Sequence, residues 1–130
     1  MASTPRPTDA ELAILRVLWT RGPSTVREVH DHMAEARAVA YTTTLKTLQV
    51  MTDKGLTLRA DVRGQHVYSP SAAEQDTLHQ LVTDLLDRAF GGSTARLVVQ
   101  ALASKRATPG ELKEIRRLLD AAEGRKREKA

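Results

Sequence analysis

A run of hydroxyl and amine side chains lies between Tyr41 and Gly55, in a stretch with the periodicity of a helix. At about 100° per residue, one side of this helix, which has no acidic residue at its centre, carries Thr43, Lys46, Thr47, Val50 and Lys54. Hydroxyl and amine donors suit phosphate oxygens and base edges, and a valine suits the methyl group of thymine. This face therefore predicts contact with a nucleic acid. The alternative is a solvated helix face.

The opposite side of the same helix is predicted to face a protein core, and it carries Tyr41, Leu45, Leu48 and Thr52. Tyr41 has two interpretations. At the start of the helix it could hydrogen-bond a phosphate, and on the inward stripe it could equally pack against the core. Gly55 supplies a left-handed stop for the helix.

Three more residues are candidates for holding the nucleic-acid backbone. Arg27 and Thr42 lie near predicted helix starts, where the free amides of a helix N-terminus add donors. Arg63 stands beside a glycine between two strand-like runs, and from a hairpin tip it would reach a phosphate or the minor groove.

The elements that must position these residues begin with clear helix signals. Four segments open with Ser or Thr followed three residues later by Glu, namely Thr8/Glu11, Thr25/Glu28, Ser71/Glu74 and Thr108/Glu111. The first predicted helix runs from about Asp9 to Arg21, and the second runs from about Val26 to Ala36 with Val26, Val29 and Met33 inward. Trp19 is predicted to lie in the core. The stretch at Tyr41 is the third helix, so the second and third form a helix-turn-helix-like pair.

After Gly55 the apolar residues alternate with polar ones, which is typical of strands. Leu56 to Val62 and Gln65 to Ser69 flank a turn at Arg63-Gly64 and predict a hairpin. Three helices followed by a two-stranded ribbon is the layout of a winged helix. We therefore predict a mainly α fold with a small β-hairpin, in which residues 1–70 form a winged helix-turn-helix DNA-binding domain.

Residues 71–123 predict three further helices, which are too small to close a large core alone. We interpret them as a helical dimerisation domain; an intramolecular three-helix bundle is the alternative. The apolar stripes expected to meet a second copy are Leu78, Leu81, Val82, Leu85, Leu86, Leu97, Val98, Leu102, Leu112, Ile115, Leu118 and Leu119. Residues 124–130 are predicted to form a basic flexible tail, more often a solubilising end than a DNA contact.

Composition narrows the function classes. The net charge is +4, with +2 in residues 1–70, −1 in residues 71–123 and +3 in residues 124–130, so a polyanionic partner is permitted. The chain has no cysteine, no membrane-spanning run and no hydrophobic signal segment, from which we expect a cytoplasmic protein. His30 and His32 would point apart on a helix and could not share a metal. We predict no cofactor, no metal site and no catalytic activity.

Seven short motifs follow one another over about residues 8–122. They are Thr8-Asp9-Ala10-Glu11, Leu18-Trp19, Gly22-Pro23-Ser24-Thr25-Val26-Arg27-Glu28-Val29, Ala40-Tyr41-Thr42-Thr43, Lys54-Gly55-Leu56, His66-Val67-Tyr68-Ser69-Pro70 and Phe90-Gly91-Gly92-Ser93. In order and spacing the chain resembles the BlaI/MecI/CopY family of bacterial winged-helix repressors. The resemblance implies a homodimer that represses transcription from palindromic operators, with β-lactam-resistance or related stress genes as targets.

The resemblance also implies an upstream signal. In better-known members of the family, repression ends when a membrane sensor protease system triggers cleavage of an Asn-Phe bond, or when copper reaches C-terminal cysteines. Here Gln100-Ala101 stands at the cleavage position and no cysteine is present, so neither route matches. The family also usually has a basic residue at the position of Val50. The valine in this chain would weaken phosphate contact or change the preferred operator.

Two other functions stay open at this point. A metal- or ligand-sensing repressor would need a site built from His and carboxylates of both subunits, and it would retain metal after dialysis. A winged helix used only as a protein-interaction module would show no salt-sensitive DNA affinity, whereas a repressor loses affinity steeply with salt.

Overall fold

The computed structural model describes residues 6–34 and 38–129. In chain order its elements are α1 (Asp9–Arg21), β1 (Ser24–Thr25), α2 (Val26–Ala34), α3 (Tyr41–Lys54), β2 (Thr57–Val62), β3 (Gln65–Pro70), α4 (Glu74–Ala89), α5 (Thr94–Ser104) and α6 (Pro109–Lys129). This mostly helical chain with a small antiparallel sheet confirms the predicted fold class. The chain divides into two compact units between Thr83 and Asp84, a point inside α4.

The first unit has an aliphatic core built by α1, α2, α3 and the sheet. Its buried apolar side chains are Ile14, Leu15, Leu18, Val26, Val29, Met33, Leu48, Met51, Leu56 and Tyr68. The three residues of α2 that were predicted to point inward are among them. Trp19 lies half-buried at the edge of this core, where its indole N–H donates to the carbonyl of Ala72 at 3.0 Å. This bond ties the segment before α4 to α1.

A third strand, which no sequence pattern indicates, joins the hairpin. Ser24 pairs with Tyr68 and Thr25 with Val67, both antiparallel, so that the strand order is β1-β3-β2. Two residues are too few to show an alternating pattern. β1 therefore depends on the presence of β3 beside it.

The predicted hairpin is confirmed, with Val62 opposite Gln65 and a two-residue turn between them. Arg63 has φ 53° and Gly64 has φ 81°, so both turn residues are left-handed. A turn of this hand matches the twist of the two strands, although such a φ is unfavourable for Arg63 because it has a Cβ. The turn places Arg63 at the tip of the hairpin, as predicted.

The buried side of α3 is rotated from the predicted one. Leu48 is fully buried as expected, and Leu45 is half-buried, but Thr44 and Met51 are the other buried residues and Tyr41 is 36% exposed. A threonine can be buried here because its hydroxyl lies within hydrogen-bond distance of a histidine on α2. Periodicity alone could not choose Thr44 over Tyr41.

Three of the four predicted helix starts are reciprocal capping boxes. At α1 the Thr8 hydroxyl accepts from the Glu11 N–H at 3.2 Å, and the Glu11 carboxylate accepts from the Thr8 N–H at 2.9 Å. The same pairs of bonds occur at Thr25/Glu28 and Thr108/Glu111. The prediction at Ser71 and Glu74 is wrong, because the Ser71 hydroxyl donates instead to the carbonyl of Gly55 at 2.6 Å.

The C-terminal helices are amphipathic and poorly buried. Neither α4 nor α5 has a fully buried residue. Ser93 caps α5 as predicted by accepting from the Arg96 N–H at 3.2 Å. α6 continues through Gly124 to Lys129, beyond residue 123 where a flexible tail was expected to begin. None of the helices in the described ranges is long and apolar enough to cross a membrane.

Candidate nucleic-acid interface

The polar face of α3 is exposed as the sequence predicts. Thr43, Lys46 and Val50 are exposed, with Val50 at 37%, and Thr47 is half-buried. The Thr47 hydroxyl donates to the carbonyl of Thr43 at 2.8 Å. With its proton committed to the helix, Thr47 can offer a partner only its oxygen as an acceptor and its methyl group.

This face borders a shallow groove of about 450 Å³ between the start of α1 and the exposed side of α3. The groove is lined by Thr8, Ala10, Glu11, Thr42, Thr43, Lys46, Thr47 and Val50. The structure therefore brings five of the predicted interface residues to one concave surface, together with three residues of the α1 cap that the sequence analysis did not assign to it.

Lys54, in the last turn of α3, is engaged inside the protein. Its amine donates to the carboxylate of Glu11 at 2.9 Å, and the Glu11 side chain is only 4% exposed while that of Lys54 is 37% exposed. The two residues are 43 positions apart, so this ion pair fixes the end of α3 against the start of α1. Lys54 still has two further N–H donors with which to contact another group.

The charge on Glu11 is favoured by its surroundings. Burial raises the pKa of Glu11, but hydrogen bonds from Thr8 and the nearby amine of Lys54 outweigh burial and lower the pKa below the ordinary value of 4.5. Glu11 is thus an ionised, buried carboxylate beside the polar face of α3. Its capping role was predicted from Thr8 and Glu11, but its pairing with Lys54 could not be.

Four side chains link the first turns of α2 and α3, and we call Arg27, His30, Tyr41 and Thr44 the α2–α3 cluster. The Arg27 guanidinium carbon lies 4.6 Å from the centroid of the Tyr41 ring. The His30 and Tyr41 rings are 5.5 Å apart and nearly perpendicular, at 78°. His30 Nδ1 lies 3.3 Å from the hydroxyl oxygen of Thr44, which is 3% exposed. Neither His30 nor Thr44 was predicted from the sequence to contact the candidate interface residues, and both lie behind Tyr41.

The carboxylate of Glu28, next to Arg27 in the sequence, already has hydrogen-bond and ion-pair partners. Glu28 accepts from the Thr25 N–H at 2.9 Å and forms an ion pair with Arg21. The hydrogen bond from Thr25 and the charge of Arg21 lower the pKa of the Glu28 carboxyl. Arg27 is not paired with this neighbouring carboxylate, and its guanidinium lies over the ring of Tyr41.

α3 begins without a capping side chain. Its N-cap residue is Ala40, whose methyl group cannot accept from the first N–H groups of the helix. The exposed side chain of Thr42 lies in this first turn. The start of α3 thus combines N-terminal amides, of which that of Thr43 already donates to the carbonyl of Ala40, with the Thr42 hydroxyl and the Arg27 guanidinium, a set that suits a phosphate.

Arg63 lies at the tip of the hairpin, in the turn between β2 and β3. Arg63 is exposed, and behind it the Asp61 carboxylate and His66 Nδ1 lie 2.9 Å apart across the two strands. Both side chains are more than half exposed, so this cross-strand pair contributes little stability. The hairpin presents one cation at its end.

The second unit exposes apolar side chains along its helices. Val99 is 62% exposed, Leu118 50% and Leu119 59%, and Phe90 and Val99 border an open groove of about 560 Å³ between the end of α4 and α5. The other predicted dimerisation residues of this unit are also exposed or half-buried, namely Leu85, Leu86, Leu97, Val98, Leu102, Leu112 and Ile115. The same holds for Leu78, Leu81 and Val82, in the part of α4 that belongs to the first unit. Within the described part of the chain, no group of three or more histidines and carboxylates is placed to hold a metal ion.

A sequence model described as "Penicillinase repressor" matches residues 7–121. The chain belongs to the penicillinase repressor family. Membership confirms the resemblance that the motifs indicated. Because the family consists of transcriptional repressors, membership also confirms the prediction that the protein is not an enzyme.

The chain is also similar to individual members of the penicillinase repressor family. The chain is 36% identical over 101 residues to the transcriptional regulator BlaI of Mycobacterium tuberculosis, covering 75% of this chain and 73% of that one. It is 23% identical over 128 residues to a penicillinase repressor of Bacillus licheniformis, covering 98% and 100%. It also resembles the solution structure of the B. licheniformis BlaI monomeric form in complex with the blaP half-operator. That match has a TM-score of 0.51 and 25% identity, and it covers 58% of this chain and 93% of that chain.

Proposed function

We propose that this DNA-binding transcriptional repressor acts as a homodimer on palindromic operators, with α3 of each subunit in the major groove. The observation that carries the proposal is the exposed face of α3, where Thr43, Lys46 and Val50 form a surface of hydroxyl, amine and methyl groups. A helix of this kind is what the major groove accommodates, and the B. licheniformis relative was solved on a half-operator.

Base recognition would come from several modest contacts. Lys46 can donate to guanine O6 or N7 or to a phosphate, and Val50 can pack on a thymine methyl. The Thr47 oxygen can accept from a base amino group because its own proton is held by the helix. Thr43 keeps a rotatable hydroxyl. Specificity therefore depends on two half-sites read together, about 34–36 Å apart or a multiple of that.

Contacts to the DNA backbone are assigned to the rim of this surface. Arg27 and Thr42 would hold a phosphate at the start of α3, with Tyr41 beside them. Arg63 would reach the backbone or the minor groove from the hairpin tip. Lys54 would add a smaller contact, because Glu11 already neutralises much of its charge.

Dimerisation is assigned to residues 71–123, with residues 124–130 as a basic tail. Supporting this, the apolar side chains of α4, α5 and α6 are exposed or half-buried in the single chain. Apolar side chains left exposed along helices are typical of an interface, and a second copy offers the same side chains in return. A protein with this role acts in the cytoplasm, where its operators are.

The release signal follows from the same family relation. A membrane sensor protease system acting on this protein would have to cut at a bond other than Asn-Phe, because Gln100 and Ala101 of α5 stand there. β-Lactam-resistance or related stress genes are the regulated genes that the family relation suggests. N-terminal sequencing of any fragment that accumulates in cells exposed to a β-lactam tests this route, and an intact protein in derepressed cells argues against it.

Genome-wide capture of DNA bound to the tagged protein tests the whole proposal. Sharp peaks that share a palindrome upstream of a few genes are expected, and no enrichment from an intact dimer would contradict it. On the captured site, Lys46→Ala should weaken binding at least about tenfold while the dimer stays intact. Lys113→Ala, which removes the same charge from α6, is the matched control and should bind normally. Equal operator affinity of Lys46→Ala and Lys113→Ala would mean that the DNA-contacting face lies elsewhere.

A further inference from the structure

The α2–α3 cluster joins a predicted phosphate-binding arginine to an aromatic ring. We infer that Tyr41 is a positioning residue whose ring, not its hydroxyl, holds the Arg27 guanidinium ready for a phosphate. The inference rests on the proposed function and deepens it, because it assigns different tasks to two residues of one interface.

The geometry of a guanidinium makes this arrangement useful. Arg27 lies over the Tyr41 ring at 4.6 Å, within the range of a cation–π contact. Such a contact depends on the positive charge over the ring face and does not require any of the five N–H donors to hydrogen-bond. Arg27 therefore keeps its donors for a phosphate and has less side-chain freedom to lose when it binds.

The ring is itself held from behind. The His30 ring stands nearly perpendicular to the Tyr41 ring, and His30 Nδ1 is 3.3 Å from the Thr44 hydroxyl oxygen. Thr44 is buried in the core, so the chain of contacts runs from a fixed point in α3 to the exposed guanidinium. The spacing of three residues on each helix brings Arg27 and His30 to one side of α2, and Tyr41 and Thr44 to one side of α3.

DNA titrations at several salt concentrations separate the ring from the hydroxyl. The probe is a labelled duplex carrying one captured half-site, with a duplex of unrelated sequence beside it. Arg27→Ala should weaken binding to both about tenfold and reduce the slope of log K against log salt by about 0.9. Tyr41→Phe should bind within about twofold of the unchanged protein, whereas Tyr41→Leu should lose about three- to fivefold.

The double variant Tyr41→Leu/Arg27→Ala decides whether Tyr41 acts through Arg27. Once Arg27 is absent, Tyr41→Leu should cost no further affinity. An equal cost in both backgrounds, or a Tyr41→Phe loss as large as that of Tyr41→Leu, would overturn the inference. If Tyr41 had a purely structural role, Tyr41→Leu would lower the melting temperature, and its loss of DNA affinity would persist in the Arg27→Ala background.

A DNA-free measurement keeps this test apart from the proposed function. The Arg27 Nε–Hε NMR signal should show a ring-current shift in the unchanged protein and in Tyr41→Phe, and the shift should disappear in Tyr41→Leu. If the shift is absent from the unchanged protein, the inference fails even when operator binding holds. If the shift is present but the unchanged protein binds neither duplex, the proposed function fails, and with it the role assigned to Arg27.

Discussion

The two units of the chain use similar aliphatic side chains in opposite ways. Among the described residues, the buried apolar core lies between Ile14 and Tyr68, and Leu48 and Met51 are fully buried in it. In the second unit Val99 is 62% exposed. The first unit closes its core because three helices and a sheet surround it, whereas the helices after Thr83 leave their apolar stripes accessible in the single chain.

This difference indicates where each unit obtains its stability. Burial of apolar surface stabilises a fold by about 25 cal/mol per Å². Residues 84–125 include no fully buried side chain, so the second unit gains less from its own packing than the first. The first unit can fold around its own core. In the proposed homodimer the second unit would gain most of its burial from the partner surface, which would link its stability to protein concentration.

The largest effect is expected in the core of the first unit. Leu48→Ala should lower the free energy of unfolding by about 3–4 kcal/mol, because it removes a fully buried side chain and leaves a cavity. Gln49→Ala, at the next position but exposed, is the control and should change it by less than about 0.5 kcal/mol. Denaturant titration of both variants measures the difference. Similar values would show that the core is not the stabilising element assigned here.

A smaller effect is expected from a charge in the second unit. Leu119→Glu should weaken the proposed dimer by about 2–3 kcal/mol while the first unit stays folded, since it places a charge on the exposed apolar surface that is proposed to meet a second copy. Sedimentation equilibrium measures the dimer constant, and Arg116→Glu, at an exposed polar position of the same helix, is the control. A dimer that tolerates Leu119→Glu would remove this part of α6 from the interface.

The hydrogen bond from the Thr8 N–H to Glu11, together with the ion pair between Glu11 and Lys54, should make the stability of the first unit depend on pH. Because the pKa of Glu11 is lowered in the folded state, its ionisation stabilises the fold above about pH 4.5, and this contribution is lost as pH falls through the folded-state pKa. Glu11→Gln should cost about 1–2 kcal/mol at neutral pH and flatten the decline in stability as the pH falls below about 4.5.

Denaturant titrations of Glu11→Gln across this pH range provide the measurement. Glu123→Gln on α6 is the matched control, since its side chain is exposed and it leaves the first unit unchanged. An unaltered decline in Glu11→Gln would mean that other carboxylates account for the acid sensitivity.

The smallest effect concerns the hairpin tip. Arg63→Asn should stabilise the first unit by about 0.5 kcal/mol, because asparagine tolerates a left-handed φ better and Asn-Gly suits this turn. The same change should weaken DNA binding by removing a cation. Thermal unfolding and DNA titration should therefore move in opposite directions, with Arg59→Asn as a control that leaves the turn unchanged. Unchanged DNA affinity would remove Arg63 from the interface.

Local signals accounted for most of the element boundaries. The capping pair Thr8/Glu11 marked the start of α1, and the left-handed Gly55 marked the end of α3. Each of these depends on bonds between residues a few positions apart, which a sequence displays directly. The prediction at Ser71 was wrong because its hydroxyl donates to the carbonyl of Gly55, 16 residues away in the sequence.

The candidate interface was predicted in part. The exposed face of α3 followed from periodicity and from the absence of acidic residues at its centre. The groove beside it did not, because the groove also depends on where α1 lies. The link from Arg27 through Tyr41 and His30 to Thr44 depends on the approach of α2 to α3, which periodicity within either helix cannot give.

The sequence by itself determined the helices, the hairpin, the polar face of α3 and the family, since all of these are local patterns or ordered motifs. Only the tertiary structure decided that β1 pairs with β3, that Thr44 is buried while Tyr41 is exposed, and that Glu11 meets Lys54. The physical reason is common to all three. Burial and pairing across many residues depend on which surfaces the folded chain brings together, and one-dimensional periodicity contains no information about the partner surface.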